Sequence, residues 1–145
     1  MRKGFGLIMA IAFIVFVATI GALALSFSTQ TTKQTGDVYL KAQAELLAMS
    51  SIEYALLAIS AHDIAATGNC INQITLTYGG MFNINMIMQY IGNGLPVPGC
   101  NTLAGTNAIA TADSSVTVLI DTIVQSNAGV GTERITIHRR TLQKP

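Results

Sequence analysis

Charge is what this chain has least of. Eight basic and seven acidic residues in 145 leave a net charge of +1, and they are unevenly spread. None lies between Gly4 and Thr32, and none between Ile64 and Ala112. A balance this close to zero offers no bulk attraction to nucleic acid or to an acidic partner. Cysteine is also scarce, with only Cys70 and Cys100, and the histidines are His62 and His138. Two distant cysteines and two lone histidines fall short of the ligand set of a metal site. Catalytic patterns are missing too. No serine sits in a nucleophile elbow, and Gly129-Val130-Gly131 lacks the lysine and the strand-to-helix setting of a phosphate cradle, so it reads as a turn. Asp113 and Asp121 share a strand face only if the strand runs unbroken, and solvated carboxylates account for them more simply than a calcium site. The sequence therefore predicts a non-enzymatic protein with no catalytic residue, no metal, no cofactor and no small-molecule substrate.

The first charge-free stretch is filled by apolar residues. From Phe5 to Leu25 there are 21 residues, apolar except for Thr19 and the glycines Gly6 and Gly21. As a helix they span roughly 30 Å, one membrane crossing. Arg2 and Lys3 precede the run and no comparable cluster directly follows it, so the positive-inside bias predicts a cytoplasmic N-terminus with the remainder outside. An oxidising compartment there allows Cys70 and Cys100 to pair. The pairing would close a loop of 29 intervening residues and contribute roughly 3–4 kcal/mol through loop-closure entropy; the alternative is two free buried thiols. Three fates compete for the apolar segment. It is a secretory signal cut near Ala22-Leu23-Ala24, an uncut anchor, or a helix retained after cleavage at Gly4. The run is longer than the roughly 7–15 apolar residues usual in a secretory signal.

Arg2-Lys3-Gly4-Phe5-Gly6-Leu7-Ile8 resembles the N-terminus of type IV pilins and type II secretion pseudopilins. The resemblance implies that a prepilin peptidase removes a basic leader, residues 1–4, after Gly4. Phe5 would then become the N-methylated first residue and the apolar helix would be kept. It further implies a pilin-like α+β fold, a long helix half in the membrane and packed by its other half on a small antiparallel head. The chain departs from the family at Met9, where most members carry glutamate. A carboxylate near the bilayer core costs about 2.5–3.5 kcal/mol on insertion scales, and in the family it is compensated by the terminal amine of a neighbouring subunit. Met9 cannot make that pair. A subunit lacking the carboxylate fits a minor, tip-proximal position better than a repeated one. The implied partners are other pilin or pseudopilin subunits, the peptidase and the bacterial inner membrane, with the head periplasmic before assembly into a filament. A single-pass anchored periplasmic binding protein that forms no filament is the alternative.

The expected layout is a membrane or filament-core helix over 5–27, an amphipathic continuation over 28–61 and a head over 62–145. Residues 26–36 are polar, either a break or a solvated stretch of helix, with Gly36 its weakest point. From Asp37 to Ile59 the apolar spacing is helical, and Ala42, Leu46, Met49, Ile52, Leu56 and Ile59 are predicted to face the sheet. Lys33, Asp37, Lys41 and Glu45 recur every four residues with alternating sign, as weak pairs on a solvated face. His62, Asp63 and Gly68 mark the helix end. Strands are predicted over Ile71–Tyr78, Ser115–Val124 and Thr132–Leu142, with Met81–Ile91 either strand or short helix and Gly79-Gly80 as a hairpin turn. Gly92 to Cys100 reads as a rigid loop. Arg134, Arg139, Arg140 and Lys144 gather near one end beside a single acid, Glu133. They form a candidate partner-binding edge, with the phosphates of nucleic acid as one partner the basic residues would suit, and a charged strand that discourages aggregation explains them better, without a ligand.

Overall fold

The computed structural model describes residues 3–103 and 116–145. Two helices, α1 (Lys3–Ala61) and α2 (Ile64–Thr67), are followed by four strands, β1 (Gln73–Tyr78), β2 (Phe82–Gly92), β3 (Val116–Ser126) and β4 (Thr136–Gln143). The class is α+β, and Met81–Ile91 resolves as strand. The chain divides into two compact units, Met1–Val38 and Tyr39–Pro145, described in turn.

In the first unit the apolar segment is helical, and every residue from Gly6 through Gly36 is exposed. By length and composition this helix is able to cross a membrane once. The polar stretch 26–36 continues it rather than breaking it. Within it the threonine hydroxyls bond back to the helix's own carbonyls. Thr29 donates to Ser26 O at 2.9 Å, Thr31 to Phe27 O and Thr32 to Ser28 O at 3.0 Å, and Thr35 to Thr31 O at 2.9 Å. Such bonds satisfy the side chain without drawing the backbone out of the helix.

In the second unit, the α1 residues that bury are Ala44, Ala48, Ser51, Ile52, Ala55 and Ile59. The predicted stripe is therefore corrected at its N-terminal half, since Ala42 is exposed and Leu46 and Met49 are 66% and 47% exposed. Spacing alone favoured the bulky residues, but the face that buries is made largely of small ones. Ala44, Ala48 and Ala55 lie on it, and Ser51 hides its hydroxyl by donating to Ala48 O at 2.9 Å.

The sheet is antiparallel in the order β1-β2-β3-β4. Its inner face carries Phe82, Ile84, Met86, Met88 and Tyr90 of β2 and Val118, Ile120 and Val124 of β3, in one buried cluster with the helix stripe. Alternation along β2 and β3 sends Asn83, Asn85 and Gln89 to the other face, as period-2 strands require. Glycine makes the β1–β2 turn feasible. Gly79 and Gly80 have φ of 56° and 68°, a backbone that L side chains resist, and Tyr78 O accepts from Met81 N–H at 3.0 Å. Two predicted strand starts move inward. β1 begins at Gln73 and β4 at Thr136, because residues 127–135 are spent on the β3–β4 connection.

Asp63 caps α2, its Oδ1 accepting from Ala65 N–H at 2.9 Å and Ala66 N–H at 3.0 Å. Cys70 and Cys100 form a disulfide with Cα atoms 4.7 Å apart. Beside it Gly99 is a close approach of backbone to backbone, since a Cβ there would lie 2.5 Å from Gly68 O. Gly99 O accepts from Cys70 N–H at 3.2 Å and from Asn72 Nδ2 at 3.1 Å, so the loop is tied into the head on both sides of the disulfide.

Candidate functional site

Three features stand out, two of them gathering residues to which the sequence assigns roles. The first is the exposed apolar helix. Gly4 and Phe5 lie within α1. Met9 is 60% exposed and sits among Leu7, Ile8, Ile11 and Phe13, all turned outward. From Gly4 to Thr32 there is no ionisable side chain to offset a buried charge from a neighbour.

The second is the C-terminal basic cluster, whose register the structure sets. Within the β3–β4 ladder Asp121 lies opposite Arg140 and Ile123 opposite His138. Arg140 Nη2 donates to Asp121 Oδ2 at 2.6 Å and its Nε to the same oxygen at 3.3 Å. His138 Nε2 contacts Asp121 Oδ1. Partial burial pushes the Asp121 carboxyl up, but its bonds to Arg140 and His138 and their charge outweigh this and hold it below the ordinary carboxylate range. Glu133 is thus not the sole acid near the cluster, a correction to the sequence reading. Arg134 lies before β4 and donates from Nη2 to Gln125 Oε1 at 3.0 Å. Arg139 points to the opposite sheet face from Arg140, across from Thr122, and Lys144 lies exposed beyond β4. The four cations are therefore divided between the two faces and the strand's flanks. β4 is nonetheless an edge strand of the sheet, and charged side chains there disfavour pairing with a further strand.

The third is a polar network that the sequence reading did not single out. Asn72 Oδ1 accepts from Asn101 N–H at 2.8 Å, and the Tyr90 hydroxyl donates to Ile71 O at 2.7 Å. Asn83 Nδ2 donates to Asn127 Oδ1 at 2.7 Å, and Asn127 Nδ2 donates to Gly80 O at 2.6 Å. These side chains hold loops to strand ends. The density of asparagine from Asn69 to Asn101 was the available signal, since asparagine both donates and accepts and can replace a missing ladder partner.

His62 has a similar tethering role, with Nε2 2.8 Å from Asn69 O and 3.1 Å from Thr67 Oγ1. Among the described residues no three His, Cys, Asp or Glu side chains converge as a metal site would require. Asp113 lies outside the described residues. In comparisons with family models, curated proteins and solved structures, the chain matches none.

Proposed function

We propose that the chain is a minor pilin-like structural subunit, held in the bacterial inner membrane by α1 with its head outside. It would enter a type IV pilus or a type II secretion pseudopilus. One observation carries the reading: the apolar run from Phe5 to Leu25 is headed by Arg2-Lys3-Gly4, and the helix turns every residue from Gly6 to Gly36 outward. An apolar surface of that extent needs lipid or the apolar helices of other subunits to cover it. Met9 favours a subunit that starts or caps assembly, because it cannot pair with the terminal amine of a neighbour.

Intact-mass and N-terminal peptide analysis of the chain extracted from its native membranes tests this. The expected species starts at Phe5 with one added methyl group. A species retaining Met1, or one starting at Leu25, overturns the proposal.

A further inference from the structure

The two edges of the sheet are unequally protected. β4 carries His138, Arg139 and Arg140, whereas β1 (Gln-Ile-Thr-Leu-Thr-Tyr) has no charge, no proline and no glycine. Charge and proline are the usual means of keeping a sheet edge from accepting another strand. No charged residue of any kind lies between Ile64 and Ala112, so none is close in sequence to β1.

The ladder shows which groups β1 leaves unused. Met88 N–H donates to Asn72 O at 2.9 Å, and along the antiparallel register Gln73 faces Ile87, Ile74 Met86 and Leu76 Ile84. Bonded pairs alternate in such a ladder. Ile74, Leu76 and Tyr78 therefore turn their backbone groups toward β2. Gln73, Thr75 and Thr77 turn theirs to the open edge, where no described residue pairs with them.

Next to that edge, between α1 and the inner side of β1, lies an open groove of about 380 Å³. Leu47, Tyr54, Leu76 and Tyr78 line it above a floor that includes Ser51 and Ile84. Ser51 and Ile84 are each 4% exposed, while Tyr54 and Tyr78 stand half-exposed at the rim. A strand added to β1 would direct every second side chain into this groove.

We propose that the β1 edge is a docking site for an extended, uncharged segment of another protein with alternating apolar residues, bound by strand addition. Gln73, Thr75 and Thr77 supply main-chain donors and acceptors, and the groove selects the alternate apolar side chains. The neutrality of edge and groove sets the chemistry of the occupant. A charged side chain placed against Leu47, Leu76 and Tyr78 would lose water and find no counter-charge among the residues lining the groove. A neutral segment carries no such penalty. This inference does not depend on the filament reading.

The test uses the full-length chain in detergent micelles and the fluorophore-labelled peptide acetyl-Thr-Val-Ser-Val-Thr-Leu-amide, followed by anisotropy. The expected result is saturable binding, weakened about tenfold or more in Thr75→Pro, which removes an outward N–H without touching the β2 ladder. Thr75→Lys, which places a charge on the edge strand without altering its backbone groups, should weaken binding similarly. Leu142→Lys on the opposite edge strand should bind as the native chain does. The proposal is overturned by the absence of saturable binding, or by binding as tight as the native chain's in both Thr75 variants. It is also overturned if sedimentation shows a native oligomer that Thr75→Lys dissolves, since the edge would then belong to a second copy.

Discussion

Tyr90 shows how one side chain serves two purposes. Its ring is among the largest fully buried groups in the core, 1% exposed, and its hydroxyl reaches Ile71 O. Burial pushes the phenol up to about 12, against a smaller downward pull from the bond to Ile71. A raised pKa in the folded state means that the neutral form is favoured there, so the associated stability is complete below the unfolded value near 10 and is lost as pH climbs toward 12. Over that window the head should lose roughly 1.4 kcal/mol per pH unit from this group. Tyr90→Phe should lose about 1 kcal/mol at neutral pH with the hydrogen bond and flatten the alkaline slope. Denaturant unfolding of the full-length chain in micelles, followed by near-UV circular dichroism at several pH values, checks both. The Asp121 pairing with Arg140 is of a different kind, since Arg140 is 60% exposed at its side chain and water screens it. Exposed pairs of this sort contribute at most about 1 kcal/mol, so the cluster acts chiefly on the edge's willingness to pair.

Elements were legible to different degrees. β3 was readable as a strand because it buries one face, and residues at period 2 must then differ in polarity, whereas the sequence left Met81–Ile91 open between strand and short helix. The Gly79-Gly80 hairpin was readable for a local reason, the need for positive φ. The helix stripe was not, because periodicity identifies which residues share a face but not which of two semi-apolar faces packs. Leu46 and Leu57 on one side compete with alanines on the other, and it is the alanine face that lies in the buried cluster with the sheet. The disulfide closes the covalent loop from Cys70 to Cys100, which contains β1 and β2. Cys70→Ser with Cys100→Ser should lower stability by roughly 3–4 kcal/mol, as expected for a closed loop of this size. The same measurement under reducing conditions on the native chain should reproduce the loss, and an unchanged unfolding midpoint would refute it.

At the scale of the whole molecule, the outward-facing apolar helix predicts how the protein partitions. The full-length chain expressed in bacteria should stay in the membrane pellet through high-salt and alkaline carbonate washes and leave only with detergent. Recovery in the carbonate supernatant would show that the helix does not span. The pattern of charge extends this view. An apolar segment without charge is followed later in the chain by residues 64–112, which also carry none, and the charges lie at Arg2 and Lys3, along 33–63 and from Asp113 onward. Exposed surface without charge has little protection against association.

The sequence by itself determined the long apolar N-terminal segment, three of the four strands and the turn glycines, because each rests on local periodicity, hydropathy or a backbone requirement of a single residue. Tertiary structure alone decided which helix face packs, which acid meets Arg140 and His138, and which sheet edge stays open. Those outcomes depend on distances between segments far apart in the chain: a one-residue change in register moves every side chain to the other face, and only the assembled sheet fixes that register.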